Sequence, residues 1–188
     1  MKWGVANILT VGRIALVPVF LACFLFKWYA ASFIAFAVAS FTDLIDGTIA
    51  RFFKEHSQLG AFLDPLADKL LMWTAFSCLV YINSVPMWFL VILIIRDVII
   101  MGGIAALKIL KIEVEYRPFL LSKFTTLFQI LLGALALGAL WSPLFSFGAY
   151  PITDFVEGMM YVTSVLIIVT TLQYLRKGLE ILQERYHI

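Results

Sequence analysis

The sequence predicts an all-α integral membrane protein of six transmembrane helices with both termini in the cytoplasm, and three observations carry that prediction. The first is composition. Of 188 residues, 63% are apolar and 14% charged, with a mean hydropathy of +0.99, whereas a soluble domain holds ~45–50% and ~25%. A surface this apolar needs lipid as its solvent. The second is a series of six apolar runs, each near the ~20 residues that a helix needs to cross the hydrocarbon core. The third is a one-sided distribution of cations. The net charge of +2 is too small to argue for a nucleic-acid partner.

The runs follow one another with little between them. The first covers 8–25 and holds Pro18, where a kink is expected. Lys2 is its only early cation, Arg13 interrupts it, and no small-residue cleavage site follows, so it reads as a span and not as a cleavable signal. The second covers 28–53, the third 60–82, the fourth 87–110, the fifth 119–141 and the sixth 150–175. Breakers mark the turns, with Asn83-Ser84-Val85-Pro86 after the third run and Ser142-Pro143 to Tyr150-Pro151 after the fifth. Residues 1–188 therefore read as a single transmembrane domain. The stretch from Arg176 to Arg185 mixes Leu179, Ile181 and Leu182 with Glu180 and Glu184, and reads as a surface helix ending the last span.

Six spans place both termini on one side with the connections after spans two and four. Lys2, Arg51, Lys54, Lys108, Lys111, Arg117, Arg176, Lys177 and Arg185 all fall there, against Lys27 on the other side. The positive-inside rule makes the rich side cytoplasmic. A short chain without a targeting segment points to a bacterial inner (cytoplasmic) membrane.

The remaining charges are expensive, because a charge at mid-membrane costs ~2.5–3.5 kcal/mol and marks a functional site by default. Asp43 and Asp46 are three apart and Asp64 and Asp68 four apart, so each pair shares a helix face. Span two runs toward the cytoplasm and span three runs back, which brings both pairs to one depth near the cytoplasmic surface. Four carboxylates in one cleft need cations. Hard oxygen donors with no His or Cys among them select Mg²⁺, Mn²⁺ or Ca²⁺, and four can balance two such ions. A two-ion site of this kind suits in-line displacement at phosphorus. Gly47, Ala50 and Gly60 leave room for a ligand to approach backbone, and Arg51 can hold a phosphate bidentately. Phosphoryl-group transfer on a nucleotide-like or diphosphate substrate follows from that set.

The string Asp43-x2-Asp46-Gly47-x2-Ala50-Arg51-x8-Gly60-x3-Asp64-x3-Asp68 resembles, spacing included, the signature of the CDP-alcohol phosphatidyltransferase family. The opening Asn7-Ile8-Leu9-Thr10-x2-Arg13, the stretch Gly60-Ala61-Phe62-Leu63-Asp64-Pro65-Leu66-Ala67-Asp68-Lys69 and the pair Ser122-Lys123 are similar to the branch holding phosphatidylglycerophosphate synthases and cardiolipin synthases. The resemblance implies transfer of a phosphatidyl group from CDP-diacylglycerol to an alcohol with release of CMP, by a homodimer whose active site faces the cytoplasm. It implies Asp43, Asp46, Asp64 and Asp68 as ligands of two Mg²⁺ or Mn²⁺ ions, Asp68 also as general base, and Asp43, Gly47, Ala50, Arg51 and Gly60 around the CDP moiety.

The acceptor is read from cations. Arg96 in span four, Arg117 before span five and Lys123 at its start would, if they converge, form a pocket for a phosphate-bearing glycerol, which favours glycerol 3-phosphate over inositol or serine. Arg117-Pro118-Phe119-Leu120-Leu121-Ser122-Lys123 resembles cardiolipin synthases about as well, and their acceptor is phosphatidylglycerol. Many phosphatidylglycerophosphate synthases instead carry Arg-Glu in span four and Gly-Lys at the start of span five, where this chain has Arg96-Asp97 and Ser122-Lys123. The rival class is a small membrane cation transporter. The aspartates cluster at one membrane face and trace no route across, which speaks against it. Arg96 and Asp97, being adjacent, project to different helix faces and are not expected to pair. Arg13 reads as an interfacial cation, and the aromatic residues as an interfacial belt with lipid-facing bulk.

Overall fold

The computed structural model describes the backbone of residues 5–53, 60–110, 119–142, 146–147 and 150–186, and side chains over 12–42, 69–107, 109–110, 119–142, 151–181 and 183–185. Six helices lie in this part of the chain: α1 Val5–Leu25, α2 Tyr29–Phe53, α3 Gly60–Tyr81, α4 Met87–Ile109, α5 Leu120–Trp141 and α6 Ile152–Tyr186. They follow the six apolar runs. The expected all-α fold has one small departure, an antiparallel ribbon of β1 (Ser146–Phe147) and β2 (Tyr150–Pro151) that pairs Ser146 with Pro151 and Phe147 with Tyr150. The residue before a proline is pushed toward extended backbone, so Tyr150 belongs to the ribbon and the last helix starts after Pro151.

Among the described residues, three stretches are long and apolar enough to cross a membrane: Met87–Leu107, Leu120–Trp141 and Ile152–Arg185. Gly12–Leu25, Tyr29–Thr42 and Lys69–Tyr81 are shorter apolar stretches among the described residues. The last helix does not break where the apolar run ends. Its 35 residues rise about 52 Å at ~1.5 Å each, well beyond the ~30 Å hydrocarbon core, so the basic stretch Arg176 to Arg185 continues the span as the same helix. The ion pair of Lys177 with Glu180 there, at 3.2 Å, is exposed and adds little.

Two connections are built by the same device. At the end of α1 the N–H of Lys27 donates to the carbonyl of Phe24 (3.0 Å) and that of Trp28 to Cys23 (2.8 Å). At the end of α3 the N–H of Asn83 donates to Val80 (2.9 Å) and that of Ser84 to Leu79 (2.9 Å). These are Schellman caps, which put the residue after the helix in the left-handed region. Lys27 sits there at φ 61° and Asn83 at φ 59°. Asparagine tolerates that conformation and lysine does so at a cost.

The chain divides into two compact units. In the unit formed by Met1–Val85 and Gly133–Phe155, α1 packs on α2 and α3, and α2 on α3. Phe20 of α1 and Phe36 of α2 are fully buried with ring centres 6.3 Å apart, and Phe24 joins them 6.1 Å from Phe20. Leu71, Ala75, Phe76 and Leu79 of α3 belong to the same core. Gly133 lets the backbone of α5 lie against the Phe36 ring: a Cβ added there would stand 2.8 Å from Phe36 Cζ.

In the unit formed by Pro86–Leu132 and Val156–Ile188, Phe89, Leu93, Leu132 and Ile167 are buried. Trp88 stacks on Tyr161 at 6.2 Å, and Phe119 meets Tyr174 edge-on at 5.2 Å. The hydroxyls of Thr163, Ser164, Thr170 and Thr171 in α6 donate to carbonyls four residues earlier. That is how a helix with no water around it satisfies its hydroxyls. Both units expose large apolar side chains, among them Val19, Ile34 and Phe41 in the first and Ile95, Val98, Val165 and Leu172 in the second. Such faces are compatible with lipid as the surrounding solvent.

Candidate active site

Two packed helices carry the aspartate string. Asp43, Asp46, Gly47, Ala50 and Arg51 fall in the second half of α2, and Gly60, Asp64 and Asp68 in the first three turns of α3. The run from Tyr29 reaches Thr42 before its first carboxylate, and the described apolar part of α3 starts at Lys69. The apolar sequence of each helix therefore gives way to the acidic segment at the end nearest the α2–α3 connection. The side chains from Asp43 to Asp68 lie outside the described residues, as does Arg117 entirely. Among the described residues, no three His, Cys, Asp or Glu groups gather.

Arg96 and Lys123 are described, in the second unit. Lys123 is exposed at the start of α5. Arg96 is buried in α4 with 3% of its surface exposed, and Asp97 with 2%. Contrary to the expectation from helix faces, the two pair: Arg96 Nη1 donates to Asp97 Oδ1 at 2.7 Å. Adjacent positions do point apart on a helix, but a guanidinium on a flexible three-carbon stem can curl back to a neighbouring carboxylate. Where both groups leave water, that pairing outweighs the awkward path. Arg96 Nη2 donates to Ser122 Oγ of α5 at 3.0 Å. The structure thus brings Arg96 to the residue next to Lys123 and fixes the contact between α4 and the first turn of α5. Arg96 Nε is buried and makes no hydrogen bond.

Two further polar residues are deeper than the sequence suggests. Arg13 has 2% of its surface exposed, so it is a buried cation of α1 and not an interfacial one. Gln129 of α5 is buried, and its Nε2 has no hydrogen-bond partner. A polar side chain in the middle of an otherwise apolar span was the signal that could have singled it out.

A family model described as CDP-alcohol phosphatidyltransferase matches residues 3–173, which run through both units. The chain is 31% identical over 186 residues to a probable cardiolipin synthase (CMP-forming) of Drosophila melanogaster, covering 90% of this chain and 56% of that protein. It is 36% identical over 115 residues to the CDP-diacylglycerol–glycerol-3-phosphate 3-phosphatidyltransferase of Bacillus subtilis, covering 53% and 60%. It is 29% identical over 182 residues to a probable phosphatidylglycerophosphate synthase of Mycobacterium tuberculosis, covering 94% and 82%. The chain spans a little over half the length of the Drosophila and Bacillus relatives.

Proposed function

Because this chain belongs to the CDP-alcohol phosphatidyltransferase family, a family of membrane-embedded transferases of phospholipid biosynthesis, we propose that it moves a phosphatidyl group from CDP-diacylglycerol to glycerol 3-phosphate. The products are phosphatidylglycerophosphate and CMP. The observation that carries this reading is the complete aspartate–glycine–arginine string on two helices that pack together. The six-span layout, with both termini and the acidic segments at the cytoplasmic face of a bacterial inner membrane, rests on the cation asymmetry. A homodimer is the assembly expected with it.

The donor set of Asp43, Asp46, Asp64 and Asp68 fits two hard divalent cations, Mg²⁺ or Mn²⁺, and lacks the nitrogen or sulfur that softer metals prefer. Such ions, when bound, supply charge neutralisation at the diphosphate. The chain's own residues do the rest. Asp68 accepts the proton of the acceptor hydroxyl as its oxygen bonds to the phosphatidyl phosphorus and the phosphoanhydride bond to CMP breaks. Gly47, Ala50 and Gly60, with Asp43, let the cytidine diphosphate approach the helices, and Arg51 holds a phosphate oxygen. A phosphoanhydride is a good leaving group, so positioning and electrostatics suffice. The donor's acyl chains stay in lipid throughout.

Arg96, Arg117 and Lys123 would meet the phosphate of the acceptor. A second reading, cardiolipin synthesis with phosphatidylglycerol as the acceptor, is favoured by the likeness to the Drosophila protein, whose name carries that activity. An acceptor panel decides. Purified protein with CDP-diacylglycerol and Mg²⁺ should release CMP with glycerol 3-phosphate and yield phosphatidylglycerophosphate. Turnover with phosphatidylglycerol alone would select the second reading. No CMP with any alcohol, together with cation flux in liposomes, would refute both and favour a transporter.

A further inference from the structure

The three-residue contact in α4 and α5 holds more than a helix-to-helix staple requires. Arg96 is fixed at both terminal nitrogens, by Asp97 Oδ1 at 2.7 Å and by Ser122 Oγ at 3.0 Å. Two such bonds from different helices set both the position and the plane of the guanidinium. The carboxylate of Asp97 neutralises a charge that is almost wholly out of water, so the cation can stand in its place before any ligand arrives. One nitrogen is left over: Nε is buried and makes no hydrogen bond. A buried N–H without an acceptor is costly and rare, and calls for an explanation. An oxyanion arriving at that edge would supply one. Ser122 is also the residue before Lys123, whose side chain is exposed at the start of α5. The hydroxyl that holds Arg96 therefore ties it to the segment bearing the second cation.

We propose that Asp97 and Ser122 are positioning residues, which hold Arg96 so that it and Lys123 act together on the phosphate group of a glycerol-phosphate acceptor. The inference rests on the phosphatidyl-transfer reading and adds to it two residues that do not touch the reacting atoms. It also gives the Ser122 hydroxyl a role, as the acceptor of the Arg96 hydrogen bond.

The test separates acceptor from donor in the full chain purified in detergent. Initial CMP release is measured for the wild type and for Ser122→Ala, Ser122→Thr and Asp97→Asn, varying glycerol 3-phosphate or phosphatidylglycerol at saturating CDP-diacylglycerol and then the reverse. Ser122→Ala should raise the KM of the acceptor about tenfold, the scale of one lost hydrogen bond to a charged group. The donor KM should stay unchanged even as the lost hydrogen bond lowers the melting temperature, and Ser122→Thr, which keeps the hydroxyl, should restore both the acceptor KM and the melting temperature. Asp97→Asn should raise the acceptor KM in the same way. An unchanged acceptor KM in Ser122→Ala would overturn the proposal while leaving phosphatidyl transfer intact. So would donor and acceptor KM rising together, the mark of a purely structural contact. Absence of CMP release by the wild type with every acceptor would overturn the phosphatidyl-transfer reading, and this proposal with it.

Discussion

Replacing Gly133 by alanine tests the packing of the helix that carries the first half of the acidic string. A Cβ at this position would lie 2.8 Å from Phe36 Cζ and 3.3 Å from Cε1, where carbon atoms sit ~3.5–4.0 Å apart at ease. The ring must retreat by ~0.7 Å or more, and it has no free direction, being fully buried with Phe20 6.3 Å away. Overpacking of a closed core costs ~1–3 kcal/mol. Against that stands a gain of ~1 kcal/mol for alanine over glycine inside a helix. The net expectation for Gly133→Ala is a loss of ~0–2 kcal/mol. In a Phe36→Leu background the obstructing ring atoms are gone, and the same substitution should stabilise by ~1 kcal/mol. Unfolding of the four proteins in detergent closes a double-mutant cycle, with a coupling of ~1–3 kcal/mol expected between the two sites. An equal effect of Gly133→Ala in both backgrounds would refute the close approach of α5 to Phe36.

Other outcomes follow from the site and the caps. Asp68→Asn should lower kcat on the order of 10²- to 10⁴-fold, the worth of a positioned general base, with the melting temperature unchanged; wild-type turnover would remove Asp68 from that role. Gly47→Leu should abolish protection of the protein by cytidine nucleotide against heat, and intact protection would place the donor elsewhere. Chelation should remove activity and Mg²⁺ or Mn²⁺ restore it; activity that survives thorough chelation would exclude the two-ion site. Lys27→Gly relieves a left-handed residue at the end of α1 and should stabilise the protein by ~1 kcal/mol, read as a raised melting temperature; a lowered one would contradict the cap.

What could be read without coordinates is what depends on neighbours along the chain. Hydropathy over ~20 residues marks a helix that lipid can hold, and the observed helices fall on the six apolar runs. Periodicity puts Asp43 with Asp46 and Asp64 with Asp68, because three and four positions are one turn. Proline and asparagine at the connections mark where helices stop. The same local logic failed where side chains reach out of register. It separated Arg96 from Asp97 by helix face, although a long flexible stem closes that gap once both groups leave water.

The sequence by itself determined that this is a helical membrane protein of the CDP-alcohol phosphatidyltransferase family, because lipid solvation and one-turn spacing are properties of contiguous residues. Tertiary structure alone decided that Arg13 is buried, that Phe36 rests on the backbone at Gly133, and that Arg96 is held by a serine 26 residues away. Each of those depends on which helix faces which, and close packing of distant segments leaves no signature in a local pattern.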